Sequence, residues 1–327
     1  MVGAVLVKDG RVLGEGWHRV AGEPHAEPLA LNGVTQDLAG ATMYVNLEPC
    51  CHVGRTAPCT DAILAAGIGR VVVGMVDPNP LVQGKGIEQL QAAGLPVEVG
   101  VDGAACGELN AGYIKATNEG LPQVWLKVAA TLDGAIADVA GHSQWITSEA
   151  ARERGHYLRD RMDAILVGSG TLLGDDPALT TRIEGGRDAL RVVLDTELRC
   201  PEEARLFNGA EAPLIYCAPD APERDLPAEL VRVPRSNWGV DLAAVLSDLA
   251  DRGVHNLLVE GGGLVHRALL DGGYADRLLL FLAPKVLPGG RGFVGGEPVE
   301  LGQGPTFKLL RSETVGDDLL LDYRVVR

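Results

Sequence analysis

Aromatic side chains make up only 4% of this 327-residue chain, so apolar burial must rest on Ala, Val and Leu rather than on large rings. Positive charge is short as well. Against 44 Asp and Glu stand 29 Lys and Arg, a formal net charge of -15. Such a chain is a poor partner for a phosphate backbone, which argues against nucleic-acid substrates and partners. No apolar run reaches the about 18 residues that a membrane-spanning helix needs, and no leader pattern opens the chain; a soluble, cytoplasmic protein with no membrane partner is expected. Cysteine is sparse: apart from Cys50 and Cys59, the remaining four (Cys51, Cys106, Cys200 and Cys217) show no disulfide framework, which fits a reducing compartment. Internal repeats and low-complexity segments are absent. What is plentiful is glycine, 43 residues, which points to many tight βα turns, in a chain long enough for two domains.

Against this background, His25-Ala26-Glu27 and the run from Pro49 to Cys59 (PCCHVGRTAPC) stand out. His25, Cys50 and Cys59 offer one imidazole and two thiolates. That set holds a tetrahedral Zn²⁺ and leaves its fourth position open, as catalysis requires. Glu27, two residues past the histidine, can serve as a proton carrier without being a ligand. An H-x-E followed by a P-C…C pair is the signature of zinc deaminases, although Cys50 and Cys59 enclose eight residues where the common signature encloses two. Taken alone, the same residues would also fit a buried histidine and two unrelated thiols. Each nevertheless falls where a ligand belongs: at a helix start, a strand end and the next helix start. Cys51 is read as a packing residue. In this chemistry Glu27 takes the proton of the attacking water and hands it to the departing ammonia.

Along the chain, Val2–Val7, the Asp9-Gly10 turn and Val12–Trp17 form a hairpin. A helix is expected after Gly22 with Pro24 in its first turn. Pro28 conflicts with that placement, so the helix is either bent at its start or begins later. Strands follow at 42–47, 70–76 and 97–101, and helices at 58–67 and 86–93. A polar stretch around 116–122 marks the domain boundary. Beyond it, strands are expected at 124–130, 164–167, 190–194, 214–217, 256–259, 277–282 and 319–326, with helices at 148–161 (capped by Thr147 or Ser148), 242–252 and 264–270. Gly261, Gly262 and Gly263 allow a phosphate to approach the helix behind them, although the triplet also fits an ordinary βα turn, and position 266 being His leaves no Rossmann fingerprint.

The run Glu48–Cys59 resembles that of the bifunctional deaminase/reductase of riboflavin biosynthesis. The similarity continues, in order, through Val2–Val5, Asp77–Pro80 with Gly84–Gly86, Leu132–Gly134, Ser143–Ser148, Asp175–Pro177 and Glu260–Gly262. The resemblance implies an α/β chain: a cytidine-deaminase-like three-layer domain (residues 1–118), then a dihydrofolate-reductase-like α/β domain (residues 122–327). It implies one Zn²⁺ held by His25, Cys50 and Cys59, with Glu27 as the catalytic group. His18, His52 and Arg55 would line the pocket of a phosphorylated ribosylaminopyrimidine, and a guanidinium at 55 suits its 5′-phosphate. In the second domain Ala129, Trp145, Thr147, Thr171, Asp175, Thr196, Gly262 and Gly263 would contact NADPH. Ser143, Arg159, Leu179, Arg182 and Glu260 would contact the second substrate. Without the resemblance, Arg159 reads as a surface charge and Trp145 equally as core, and the alternative for His18 and His52 is a solvated loop residue. The implied activity is deamination of a diaminopyrimidinone ribosylamino 5′-phosphate, then reduction of its ribosyl chain to ribityl. A homo-oligomer through edge strands of the reductase-like domain is also expected.

Members of that family usually carry a further helix and a Pro-Asn-Pro run before the segment matching Val2–Val5. The expectation is therefore an incomplete form of a working enzyme, with a reductase carrying an impaired deaminase scaffold as the alternative. A nucleic-acid deaminase is opposed by the charge, and a non-catalytic zinc protein would be indifferent to loss of Glu27.

Overall fold

The computed structural model describes residues 1–327 except Val20, Ala21 and Arg55. The chain divides into two compact units, Met1–Glu119 and Gly120–Arg327.

The first unit is a five-stranded sheet ordered β2-β1-β3-β4-β5. Its strands are β1 (Gly3–Lys8), β2 (Arg11–Trp17), β3 (Thr42–Val45), β4 (Arg70–Val73) and β5 (Val97–Val99). β1 runs antiparallel to its neighbours, while β3, β4 and β5 are parallel. Alternate residues Ala4, Leu6, Met43, Val45, Val71 and Val73 present one apolar face. Against that face pack Ala26 and Ala30 of α1 (Ala26–Leu31), Ile63 of α2 (Cys59–Ala66), and Ile87 and Leu90 of α3 (Lys85–Ala92). Two glycines decide how close α1 comes. A Cβ at Gly14 would overlap the Ala30 carbonyl, and one at Gly16 the Ala26 carbonyl, so the helix lies directly on the bare backbone of β2.

The helix expected from Pro24 begins at Ala26, with His25 as its N-cap. Pro28 then falls in the first turn, where its missing N–H costs no bond, and the first intrahelical bond runs from Leu29 N to the His25 carbonyl. Two helices that were not expected, α4 (Gly103–Leu109) and α5 (Ala111–Glu119), fill the segment after β5, α5 running into the boundary stretch at 116–122. α4 starts from a left-handed Asp102 that makes no side-chain cap bond, which hides its start from sequence.

The second unit is a nine-stranded sheet ordered β11-β10-β9-β8-β14-β6-β15-β18-β17. Its strands are β6 (Gln123–Thr131), β8 (Ala164–Gly168), β9 (Leu190–Leu194), β10 (Leu214–Cys217), β11 (Glu229–Arg232), β14 (Asn256–Val259), β15 (Ala275–Ala283), β17 (Thr306–Val315) and β18 (Asp318–Val326). The short pieces β7 (Ala135–Ala137), β12 (Arg235–Ser236), β13 (Gly239–Val240) and β16 (Arg291–Gly292) make two small ribbons, β16-β7 and β12-β13. Helices are α6 (Glu149–Arg161), α7 (Ser169–Asp175), α8 (Leu242–Asp251) and α9 (Gly263–Asp271). Central strands such as β8 are buried throughout, the mark of a parallel sheet covered on both faces, and a separate apolar core lies on each side. Ser148 caps α6, accepting from Ala151 N.

Strand β17 was not foreseen. Its register shifts between Leu309 and Arg311, which breaks the alternation that betrays a strand, and most of its residues are exposed. The chain leaves β8 toward β9 but leaves β14 toward β15, so the order reverses between β8 and β14. Parallel α/β sheets bind ligands outside the strand C-termini at such a reversal.

Candidate active sites

In the first unit, α1 resting on β2 sets His25 at the helix cap and Glu27 in the first turn. β3 delivers Cys50 beyond its C-terminal end, and α2 opens with Cys59. The ligand atoms of His25, Cys50 and Cys59 all lie within 4.8 Å of one another. His25 Nδ1 is 3.5 Å from Cys50 Sγ and 3.3 Å from Cys59 Sγ. A tetrahedral zinc with ordinary Zn–N and Zn–S bonds spaces nitrogen and sulfur by about 3.6 Å. Donor chemistry and spacing both fit that ion.

Electrostatics follow the same geometry. Hydrogen bonding from the Cys59 thiol, helped by the Cys59 backbone N–H and His25, brings the Cys50 thiol down to about 5, while the same bond and burial push Cys59 up. Glu27 is 2% exposed and accepts from Cys59 Sγ at 3.3 Å. Burial pushes its carboxyl above the ordinary range, which suits a group that both takes and returns a proton.

Two residues not singled out from sequence complete this site. Thr56 Oγ1 lies 3.3 Å from His25 Nε2. With Nδ1 turned to the thiols, Nε2 carries the proton and donates it to Thr56, holding the ring and its tautomer. Glu48 is 3% exposed, and its carboxylate accepts from Gly84 N (2.8 Å), Gly86 N (2.9 Å), Asp77 N (3.1 Å) and Ile87 N (3.2 Å). It ties the turn before Cys50 to the start of α3. A Cβ at Gly86 would overlap the Pro49 carbonyl, so the approach is as tight as backbone allows. A glutamate directly before the Pro-Cys pair was the available signal, but its partners lie far along the chain.

A cleft of about 230 Å³ opens over the site, lined by His18, His25, Cys50, His52, Gly54 and Thr56. The His18 ring meets His25 edge-on at 5.2 Å. His52 Nδ1 is buried and, among the described residues, has no hydrogen-bond partner. Arg55 lies outside the described residues.

In the second unit Thr171 follows β8, and Glu260, Gly262 and Gly263 follow β14, so these predicted residues lie at the β8/β14 reversal. The Glu260 side chain, 6% exposed, takes a bidentate pair from Arg159, Nε to Oε1 at 2.7 Å and Nη2 to Oε2 at 2.9 Å. Lys127 Nζ, unforeseen from sequence, stands 3.7 Å from Glu260 Oε2. Burial pushes the Glu260 carboxyl up, but the Arg159 and Lys127 charges outweigh it and hold it at about 2. Burial, then the charges of Arg159 and Arg182, hold His156 below its ordinary value. Ser143 Oγ donates to Asp175 Oδ1 at 2.8 Å. Thr171 packs beneath Gly261: a Cβ there, at φ +152°, would come 2.7 Å from Thr171 Oγ1. Gly262, at φ +87°, caps α9, whose first N–H groups have no side-chain cap. This bare cradle and helix start fit a dinucleotide phosphate. Thr196 packs against Gly239 of β13. Ala129 lies in β6, and Gly263 packs against Gly292 and Gly295. Thr147 is buried and accepts from Arg152 through its carbonyl. Trp145 is not core: it is 61% exposed, with Arg152 stacked at 4.6 Å. Leu179 is the reverse, its side chain being in the core at φ +56°, so only its backbone is open to a ligand.

The first unit matches the cytidine and deoxycytidylate deaminase zinc-binding region over residues 1–75, and the second matches the RibD C-terminal domain over residues 122–321. Fold and site together define a zinc-dependent deaminase and an NADPH-dependent reductase on one polypeptide. The chain is 40% identical to the riboflavin biosynthesis protein RibD of Aquifex aeolicus, over 99% of this chain and 91% of that one. The Escherichia coli protein of the same name is 39% identical, over 98% and 92%. Among solved structures, a diaminohydroxyphosphoribosylaminopyrimidine deaminase/5-amino-6-(5-phosphoribosylamino)uracil reductase from Thermotoga maritima matches with a TM-score of 0.91 at 36% identity, covering 99% of this chain and 92% of that one. Acinetobacter baumannii RibD matches at 0.90 and 35%, covering 100% and 92%. The chain belongs to the riboflavin biosynthesis protein RibD family and carries both of its enzyme domains. Among the described residues, no helix is long and apolar enough to cross a membrane.

Proposed function

We propose that the first domain deaminates 2,5-diamino-6-(5-phosphoribosylamino)pyrimidin-4-one, replacing the 2-amino group by oxygen from water and releasing ammonia. The second domain then reduces the ribosyl chain of that product to ribityl with NADPH. The observation that carries the reading is the His25, Cys50 and Cys59 cluster with the buried Glu27 carboxyl beside it. Zinc, held by those three residues, supplies Lewis acidity that makes water a nucleophile near neutral pH. Glu27 accepts the water's proton and returns it to the leaving nitrogen. His18 and His52 line the base pocket, an assignment supported by the unpartnered, buried His52 Nδ1, and Arg55 binds the phosphate.

In the second domain, Ala129, Trp145, Thr147, Thr171, Asp175, Thr196, Gly262 and Gly263 hold the cofactor. Ser143, Arg159, the Leu179 backbone, Arg182 and Glu260 hold the substrate, a guanidinium being suited to its phosphate. The exposed edge strand β17 supports pairing of two copies through this domain. Six unpaired cysteines support a reducing, cytoplasmic setting.

Glu27→Gln tests the assignment. Ammonia release should fall by about 10²-fold or more while zinc content stays stoichiometric and reduction of the deaminated pyrimidine persists. Deamination at the wild-type rate would overturn the role given to Glu27.

A further inference from the structure

Strands β8 and β9 are parallel neighbours whose register pairs Gly168 with Leu194, so Ser169 and Asp195 leave the sheet side by side at its C-terminal edge. Thr171 and Thr196, both assigned to the cofactor, lie just beyond them. An acidic residue at such a strand end commonly grips the ribose 2′-hydroxyl of NAD and repels a 2′-phosphate. Asp195 is not available for that. It is fully buried, its Oδ2 accepts from Cys200 N at 2.8 Å, and its Oδ1 has no hydrogen-bond partner among the described residues.

That turned-in carboxylate lies 3.8 Å from Arg199 Nε, while Arg199 Nη2 donates to Ser169 Oγ at 2.7 Å. Asp195 and Ser169 thus hold a half-exposed guanidinium across the gap between the two strand ends. Other nearby arginines are committed. Arg235 is bidentate to Glu197 and bonded to Asp220, and Arg224 is spent on the carbonyls of Leu198 and Cys200 and on Glu202. Arg235 also offsets part of the charge of Glu197 and Asp220, the exposed carboxylates nearest this position that oppose an anion.

We infer that Arg199, anchored by Ser169 and Asp195, reads the adenosine 2′-phosphate and makes the reductase domain select NADPH over NADH. The inference rests on the cofactor placement given above. Arg199 is in this sense a specificity determinant, and its partner is the one group by which the two cofactors differ.

The test uses the full chain and isothermal calorimetry with adenosine 2′,5′-bisphosphate and 5′-ADP, alongside reductase kinetics with NADPH and NADH. Wild type should prefer the 2′-phosphorylated member of each pair. Arg199→Ala should cut that preference by about tenfold to a hundredfold, the range of a charge-assisted hydrogen bond. Ser169→Ala, which frees the guanidinium without removing it, should cut it less. A wild-type preference carried unchanged into Arg199→Ala refutes the role of Arg199 while leaving the cofactor placement intact. Equal binding of both members by the wild type refutes the placement and the inference together.

Discussion

Replacing Glu48 by Gln removes a charge and turns one acceptor oxygen into a donor. Four backbone N–H groups converge on the carboxylate, two on each oxygen. Whichever oxygen becomes NH₂, two N–H groups then face a donor in a place that water scarcely reaches, Glu48 being 3% exposed. Bonds to a charged acceptor contribute about 1.5–3 kcal/mol each, so losing two costs about 3–6 kcal/mol before relaxation, and about 3–5 kcal/mol is expected. The loss is local to the turn that presents Cys50. Zinc affinity should therefore fall by about tenfold or more, as it does when the groups orienting a ligand are disturbed. Urea unfolding of the full chain, followed by probes of each domain, should show an early transition in the deaminase domain alone. Competition with a chromophoric chelator reads the affinity. A variant whose unfolding lies within about 1 kcal/mol of wild type, with unchanged zinc affinity, would refute the reasoning, since the carboxylate would then be a dispensable cap.

Thr56→Val keeps the shape of the side chain but removes the acceptor for His25 Nε2. Zinc affinity should fall by about 10–100-fold and recover in Thr56→Ser; equal affinities for Val and Ser would show that the hydroxyl does not hold the ring. The Arg159–Glu260 pair gives a pH dependence of definite sign. Because Glu260 is held at about 2 against an ordinary 4.5, its stabilisation is complete above pH 4.5 and drains away as the pH falls toward 2. Arg159→Ala leaves a buried carboxylate without its main partner and should cost about 3–5 kcal/mol at neutral pH. Denaturant titrations of wild type and variant should converge between pH 4.5 and 2, and parallel curves there would contradict the assignment.

Much of the deaminase site was legible because its chemistry is written at element ends. His25 and Glu27 sit two residues apart at a helix start, and Cys50 and Cys59 follow a strand and open a helix. Short-range spacing is therefore enough to recognise the donor set. The parallel core strands were legible for a related reason: strands buried on both faces read as unbroken apolar runs. Where local signals fail, so did the reading. The bulge in β17 erases its alternation, and α4 opens on a left-handed Asp102 with no side-chain cap bond, whereas Pro28 left a bent or a later helix start open and the later start, at Ala26, is the one found.

What the amino-acid sequence determined by itself is the chemistry: the zinc-binding donor set, the glutamate beside it, and a deaminase followed by a reductase. What only the tertiary structure decided is how those groups are held and which charges face them. Glu48 finds its donors in the loop before α3, and Lys127 meets Glu260 only because β6 and β14 pair. Arg199 is set across the strand ends only because β8 and β9 are neighbours. Each depends on contacts between segments distant in the chain, which side-chain identity and local periodicity do not encode. A buried charge, moreover, has a role only once its partners are in place.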